Sequence, residues 1–190
     1  MEFIKVRGVI LKTIDYRERD RLIYTATGDM GKVTSIAKGV RGKKMKNSSL
    51  TQPLMLCDFT LYPGKNIHTV SEIFPVHSFG KLKEDYDTIT YASYFLELMD
   101  LAMDDGEKNP RLFLDFIKTL YIMETGAFPL KLLARMFEIK VLLRTGNQPS
   151  PYIDGKPMAE GPRGLIRFML NKEVDNLSEL IYSDEDLEFV

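Results

Sequence analysis

Residues able to do chemistry are sparse in this chain of 190 residues, and none is grouped for catalysis. The two histidines, His68 and His77, lie in or beside one strand-like segment. A metal pair there would need Glu72 or Asp58 to join them, and histidines so placed are more often surface or half-buried strand residues. Cys57 alternates with Met55 and Phe59 on an apolar face, which suits a small core residue rather than a nucleophile. A lone cysteine excludes an intramolecular disulfide and any cysteine-based zinc site. The acidic run Asp104-Asp105-Gly106-Glu107 lacks the ligand spacing of a calcium-binding loop and reads as a solvated helix-to-helix turn. No Walker loop occurs, and no G-x-G-x-x-G opens a helix after a strand. These residues support no enzyme, no metal, no other cofactor and no small-molecule substrate.

What remains is charge. Between Asp29 and Asp58 there is no carboxylate, yet Lys32, Lys38, Arg41, Lys43, Lys44 and Lys46 all fall in that gap, six of the chain's 26 Lys and Arg. Gly39 and Gly42 hinge this stretch, and Asn47, Ser48 and Ser49 add hydrogen-bonding groups. A positive loop free of nearby anions suits a phosphate backbone better than it suits catalysis. The competing explanation is a solvated loop made basic for solubility. The net charge of −1 conceals the asymmetry: residues 1–80 carry 13 Lys/Arg against 7 Asp/Glu, and residues 81–190 carry 13 against 20. Such a division suggests two modules, a basic one for polyanions and an acidic one for protein.

The elements that must hold these residues follow from periodicity. Phe3 to Lys12 alternates as a strand, with Gly8 as a candidate bulge or barrel bend. Residues 15–21 (DYRERDR) read as a charged connection. Arg21–Thr27 and Lys32–Lys38 read as strands around a Gly28–Gly31 turn. Gln52–Tyr62 is the clearest strand, and Pro63–Asn66 turns it into a fifth, Ile67–Phe74. Five strands with one long connection predict a small closed barrel of the OB type; an SH3-like barrel fits the strand count nearly as well. Phe3, Tyr16, Tyr24, Phe59, Tyr62 and Phe74 could partly form a base-stacking platform, with Tyr16 and Tyr62 the expected exposed pair. Lys5 and Arg7 on the first strand could extend the cationic groove.

After Pro75 the period becomes helical. Tyr91, Tyr94, Phe95, Leu98 and Ala102 form one stripe, ending near Gly106. Asn109-Pro110 is a cap followed by proline at the first helical position. Phe113, Phe116, Ile117 and Leu120 form a second stripe, closed by Gly126. Pro129 opens a third helix to Arg144 that is apolar nearly all round and is expected to be the most buried. Residues 147–164 are rich in Pro and Gly and read as an irregular connection. Gly164–Asn171 and Leu177–Tyr182 are short apolar segments, and Ser183 starts a last acidic turn. The fold class is therefore α+β: a five-stranded barrel domain over 1–80 and a helical domain over 81–190. No apolar run approaches a membrane span, and the N-terminus is not a signal peptide, so a cytoplasmic protein is the expectation.

The order of motifs is also informative. VILKTIDYRERDRLI, GKVTSIAKGVRGKK and LTQPLML resemble the N-terminal part of the bacterial RecO family of DNA repair proteins, and YFLELMD, NPRLFLDF and ARMFEIKVLLRTG resemble its helical part. The resemblance implies an OB barrel followed by helices. It also implies binding of single- and double-stranded DNA, strand annealing, and work with RecR in loading RecA on DNA coated by single-strand-binding protein, whose C-terminal tail the family recognises. On the matching A-K-G-x-R stretch it implies Lys38, Gly39 and Arg41 as DNA contacts, extended by Lys43, Lys44 and Lys46; Lys32 is a further DNA-binding candidate from the charge pattern. In the matching R-x-F-E motif it implies Arg135 as the group that meets the tail's carboxylate, and Lys131 is a second partner-binding candidate. An intrahelical pair with Glu138 competes for Arg135, worth only tenths of a kcal/mol on an exposed helix. Two departures stand out: residues 147–164 lack the four-cysteine zinc module of many members, and the chain stops at Val190 where the family usually continues with a longer helix. Two other classes compete, an adaptor working through the acidic helical half and an RNA-binding barrel.

Overall fold

The computed structural model describes residues 2–41, 49–146, 152–153 and 156–157. Five strands form a closed barrel: β1 (Ile4–Tyr16), β2 (Asp20–Thr27), β3 (Gly31–Ala37), β4 (Leu56–Tyr62) and β5 (His68–His77), in the order β1-β2-β3-β5-β4. All neighbours are antiparallel except β3 and β5, which run parallel at Ser35↔His68 and Ile36↔Thr69. Closure and this topology are those of an OB barrel. Val6, Ile10, Ile23, Val33, Met55, Cys57, Phe59 and Leu61 fill the interior.

β1 is longer than its alternation suggests because it serves two partners. Its first half pairs with β4 and its second with β2. Gly8 sits where the two overlap, opposite both Thr27 and Cys57. A Cβ there would lie 2.3 Å from Thr25 Cγ2 and 2.6 Å from the Ala26 carbonyl oxygen, so only glycine fits. The irregularity expected at Gly8 occurs instead between Ile10 and Lys12. That shift inverts the alternation, so the outward residues are Lys5 and Arg7 before it but Lys12, Ile14 and Tyr16 after it. The charged 15–21 stretch is likewise not a connection: Asp15 and Tyr16 end β1, Asp20 and Arg21 begin β2, and the turn is Arg17–Arg19. Before β4, Gln52 to Met55 are turn rather than strand, with Leu54 at φ 65°.

Residues Met103–Phe113 belong to the barrel's compact unit. Lys32 N–H donates to the Asp104 carbonyl at 3.1 Å and Gly106 N–H to that of Met30 at 3.0 Å. The acidic turn is thus tied to the β2–β3 turn by backbone hydrogen bonds, not merely solvated.

The second compact unit comprises Lys81–Ala102 and the described residues from Leu114 on. Its described helices are α1 (Tyr86–Ala102), α2 (Pro110–Thr125, whose first residues count with the barrel) and α3 (Leu130–Arg144). The Asp85 carboxylate accepts from Thr88 N–H and caps α1, and Asn109 Oδ1 accepts from Leu112 N–H at 3.1 Å to cap α2. Gly126 and Gly146 take positive φ just past the ends of α2 and α3, whereas α1 stops at Ala102 and Gly106, also at positive φ, lies in the segment tied to the barrel. Tyr94, Phe95 and Leu98 of α1, Phe116 and Leu120 of α2, and Phe137 and Val141 of α3 are fully buried. α3 has the largest buried share of the three described helices, as its apolar composition predicts, but one side of it meets solvent. Met136 and Leu143 are about half exposed, while two charged residues, Arg135 and Glu138, lie on the buried side.

Within the irregular 147–164 connection, Tyr152–Ile153 and Lys156–Pro157 pair as a short antiparallel ladder. Lys43, Lys44 and Lys46, and the segments expected after residue 164, lie outside the described residues.

Candidate functional site

The barrel presents two outer surfaces, and the candidate DNA contacts divide between them. On the β1–β4–β5 side the register forms rows: Arg7–Asp58–Phe74, then Lys5–Thr60–Glu72. These residues line a shallow cleft of about 520 Å³. Arg7 donates to both Asp58 oxygens, Nε to Oδ1 at 2.7 Å and Nη2 to Oδ2 at 2.8 Å. Those hydrogen bonds, with the guanidinium charge, hold the Asp58 carboxyl below the usual carboxylate range. Tyr62, at the end of β4, makes an edge-on ring contact with Phe3 at 5.9 Å. This surface is locally neutralised.

The β1–β2–β3 side differs. Its register aligns Lys12–Tyr24–Thr34 and Ile14–Leu22–Ile36, with Tyr16 beside Asp20. Lys12 Nζ stands over the Tyr24 ring, 4.9 Å from its centroid. Ile14 is half exposed, and Leu22, Tyr24, Thr34 and Ile36 are partly exposed. The strip is apolar and aromatic along its middle, with cations at its margins. Tyr16 is exposed, with the Arg17 guanidinium 5.1 Å from its ring centroid. Sequence reasoning did not select Lys12 or Arg17, and passed over Tyr24 in favour of Tyr62. The bulge after Ile10 hid the phase of Lys12, and reading 15–21 as a connection hid the alignment of Tyr24 with β1.

At the hairpin end of this strip the described part of the basic stretch is anchored. Arg41 N–H donates to the Arg19 carbonyl at 3.0 Å, and its Nη1 to that of Arg17 at 3.3 Å. Gly39 N–H donates to Asp20 Oδ1 at 2.8 Å. Asp15 contacts Arg41 Nη2 at 3.1 Å through Oδ2, and Arg21 Nη2 at 3.3 Å through Oδ1. Arg21 in turn donates to Thr51 Oγ1 at 2.9 Å. One carboxylate therefore binds the arginines that hold both ends of the connection, Arg41 directly and Thr51 through Arg21. The expectation of a cation cluster free of nearby anions is corrected at Arg41, whose carboxylate neighbour comes from β1. Lys38 is exposed at the end of β3. Lys32 is six residues earlier, roughly 20 Å back along the strand, and does not join Lys38 and Arg41. Lys5 and Arg7 do not join them either.

The residues considered for catalysis stay apart. Cys57 is buried in the barrel core, and burial, reinforced by Asp58, pushes its thiol up to about 11. His68 Nδ1 accepts from Gly64 N–H at 3.3 Å, and His77 packs edge-on against Phe79. Among the described residues no group of three or more His, Cys, Asp or Glu could hold a metal. No described helix is long and apolar enough to cross a membrane.

The helical unit carries a second candidate site. A cleft of about 460 Å³ is lined by Tyr91, Pro129, Leu130 and Leu132, with Asp87, Lys131 and Arg135 as its charges. Lys131 is exposed, whereas Arg135 is 1 % exposed and 3.6 Å from Glu138 Oε2. The surface-pair value of tenths of a kcal/mol does not apply to a pair so buried.

Comparison with known proteins agrees with this architecture. Residues 1–79 match the model of the Recombination protein O N terminal family and residues 83–151 that of the Recombination protein O C terminal family. The chain belongs to the RecO family. Among its relatives, the "DNA repair protein RecO" of Clostridium perfringens (strain 13 / Type A) is 43% identical over 146 residues, covering 77% of this chain and 59% of the relative. That of Clostridium novyi (strain NT) is 41% identical, covering 77% and 57%. That of Caldicellulosiruptor bescii is 32% identical, covering 77% and 59%. The chain thus spans less than three-fifths of the length of these RecO relatives.

Proposed function

We propose that this chain is a non-enzymatic DNA repair and recombination mediator that binds single-stranded DNA along the β1–β2–β3 face of its barrel. The observation that carries this reading is the alignment of Lys12 over Tyr24 beside the Ile14–Leu22–Ile36 row, with Arg17, Lys38 and Arg41 at its end. Phosphates are met by the cations and bases by the apolar and aromatic strip. A base stacking on Tyr24 displaces Lys12 from the ring. That costs about 0.5–1 kcal/mol of cation–π contact against roughly 1–3 kcal/mol from stacking, so the exchange is favourable, and the freed ammonium turns to phosphate.

Lys43, Lys44 and Lys46 add positive charge for phosphate, Tyr16 offers a second stacking face, and Gly39 lets the chain turn beside phosphate. Lys5, Arg7, Lys32 and Tyr62 contribute least, being set away from the strip. Neutralising the backbones of two strands lowers their repulsion, and few stacking contacts leave bases free to pair, which is annealing. With about five phosphates neutralised, affinity should fall with salt at a log–log slope of roughly −3.5. Titrating labelled single strands across salt concentrations tests this; a slope near zero contradicts it. Matched RNA in competition discriminates an RNA-binding barrel.

The cleft beside Arg135 and Lys131 is the proposed docking point for a carboxylate-terminated peptide with apolar last residues, as in the tail of single-strand-binding protein. Its apolar walls and recessed guanidinium support this. Action with RecR in loading RecA, in the cytoplasm, completes the proposal.

A further inference from the structure

Three polar groups from two helices lie at and beneath the floor of the helical cleft. Arg135 is 1 % exposed, and Glu138 and Tyr94 are inaccessible. Tyr94 Oη donates to Glu138 Oε1 at 2.7 Å. The other carboxylate oxygen, Oε2, stands 3.6 Å from Arg135 Nη1. The first distance is that of a strong, charge-assisted hydrogen bond; the second is well outside the range of about 2.7–2.9 Å that a close guanidinium–carboxylate contact takes. The same chain shows the alternative in Arg7 and Asp58, which close into a two-point fork at 2.7 and 2.8 Å. Glu138, one helical turn from Arg135, is near enough to do likewise, and it does not.

We propose that Tyr94 is a positioning residue for ligand capture: by holding Glu138 Oε1 it keeps that carboxylate from closing on Arg135. The guanidinium of Arg135, a residue of the cleft's lining, balanced in charge by Glu138, then remains the group that an incoming carboxylate meets. The inference rests on the proposed reading of this cleft as a carboxylate-binding site. In this scheme Tyr94 acts through Glu138. The ligand is a peptide with a free C-terminal carboxylate, its last apolar side chain between Tyr91, Leu130 and Leu132. Lys131 favours acidic residues upstream, and Asp87 limits where they lie.

The test uses the full chain and two short acidic peptides ending in phenylalanine, identical except that one ends in the free acid and the other in the amide. Wild type is expected to bind the acid about tenfold more tightly, the worth of one charged hydrogen bond. Tyr94→Phe keeps the ring and removes the hydroxyl; Glu138 closes on Arg135 and the acid-over-amide ratio falls to about twofold, with amide affinity little changed. Adding Glu138→Gln to Tyr94→Phe removes the competing anion and restores the ratio. A merely structural Tyr94 would lower both affinities together and would not be rescued. A wild-type ratio in Tyr94→Phe overturns the inference while leaving the cleft reading intact; equal binding of acid and amide by wild type overturns the cleft reading and the inference with it. Should Tyr94→Phe not fold, Glu138→Gln alone decides: with Tyr94 already holding the carboxylate off Arg135 the ratio stays near tenfold, and a large rise, showing that Glu138 competes in wild type, overturns the inference.

Discussion

Arg7 and Asp58 meet on the barrel with both side chains about half exposed, whereas Arg135 and Glu138 meet among the helices with 1 % and 0 % exposure. The exposed pair is geometrically the better one, yet water and salt screen it, so its energetic worth is small. The buried pair is looser but irreplaceable piece by piece, because either charge left alone would be stranded away from water. Geometry and energy therefore run in opposite directions. The difference also assigns tasks: exposed cations suit a polyanion that arrives with its own counterions to release, and a recessed cation suits a single carboxylate.

Glu138→Ala sharpens this contrast most. Chemical denaturation of the helical unit should show a loss of about 3–5 kcal/mol, while the paired change of Arg135→Met with Glu138→Leu, made together with Tyr94→Phe so that the hydroxyl bonded to Glu138 goes with it, should be near neutral. Equal losses from the single and paired changes would mean that the charges do not compensate each other. In the barrel, Tyr24→Ala should cost single-stranded DNA binding roughly 1–3 kcal/mol with little change in salt slope, as expected for a lost stacking surface. A changed slope with unchanged affinity at low salt would place the strand elsewhere.

Much of this could be read from residue order alone. The caps and stops of α2 and α3 were legible because Asn109-Pro110, Gly126 and Gly146 act locally, within a turn, whereas α1 ends at Ala102, four residues before the expected stop at Gly106. The barrel was legible because inward residues such as Cys57, Phe59 and Leu61 keep strict period. The binding face was less so, because it depends on register. A single irregularity between Ile10 and Lys12 moves Lys12, Ile14 and Tyr16 to the outside, and no local pattern announces it. The Asp15–Arg41 contact joins residues 26 positions apart and depends on the same hairpin. Arg135 and Glu138 looked like surface charges because helical spacing specifies which residues are neighbours, not which side faces the core. The span from 42 to 48 is the basic stretch's remaining part, and its cations enter through composition alone.

Two smaller effects probe the exposed side of the comparison. Asp15→Asn removes the carboxylate that holds Arg41, so single-strand affinity at low salt should rise a few fold; a fall would show that anchoring of the stretch matters more than release of the cation. Asp58→Asn should cost about 0.2–1 kcal/mol of stability at neutral pH, the range for exposed pairs. Because Arg7 lowers the Asp58 pKa in the folded state, the pair stabilises above the ordinary carboxylate value and is lost as pH falls through the lower, folded one. The gap between wild type and Asp58→Asn should thus persist to about pH 4 and fade below it. A gap that widens on acidification would contradict that assignment.

The most direct measurement compares the two barrel faces by the salt dependence of single-stranded DNA binding. Lys12→Gln with Lys38→Gln should weaken binding and make the log–log slope shallower by about 1.4, two phosphate contacts' worth, while Lys5→Gln with Arg7→Gln should leave slope and affinity near wild type. The reverse outcome, with the Lys5 and Arg7 face carrying the salt dependence, would contradict the account.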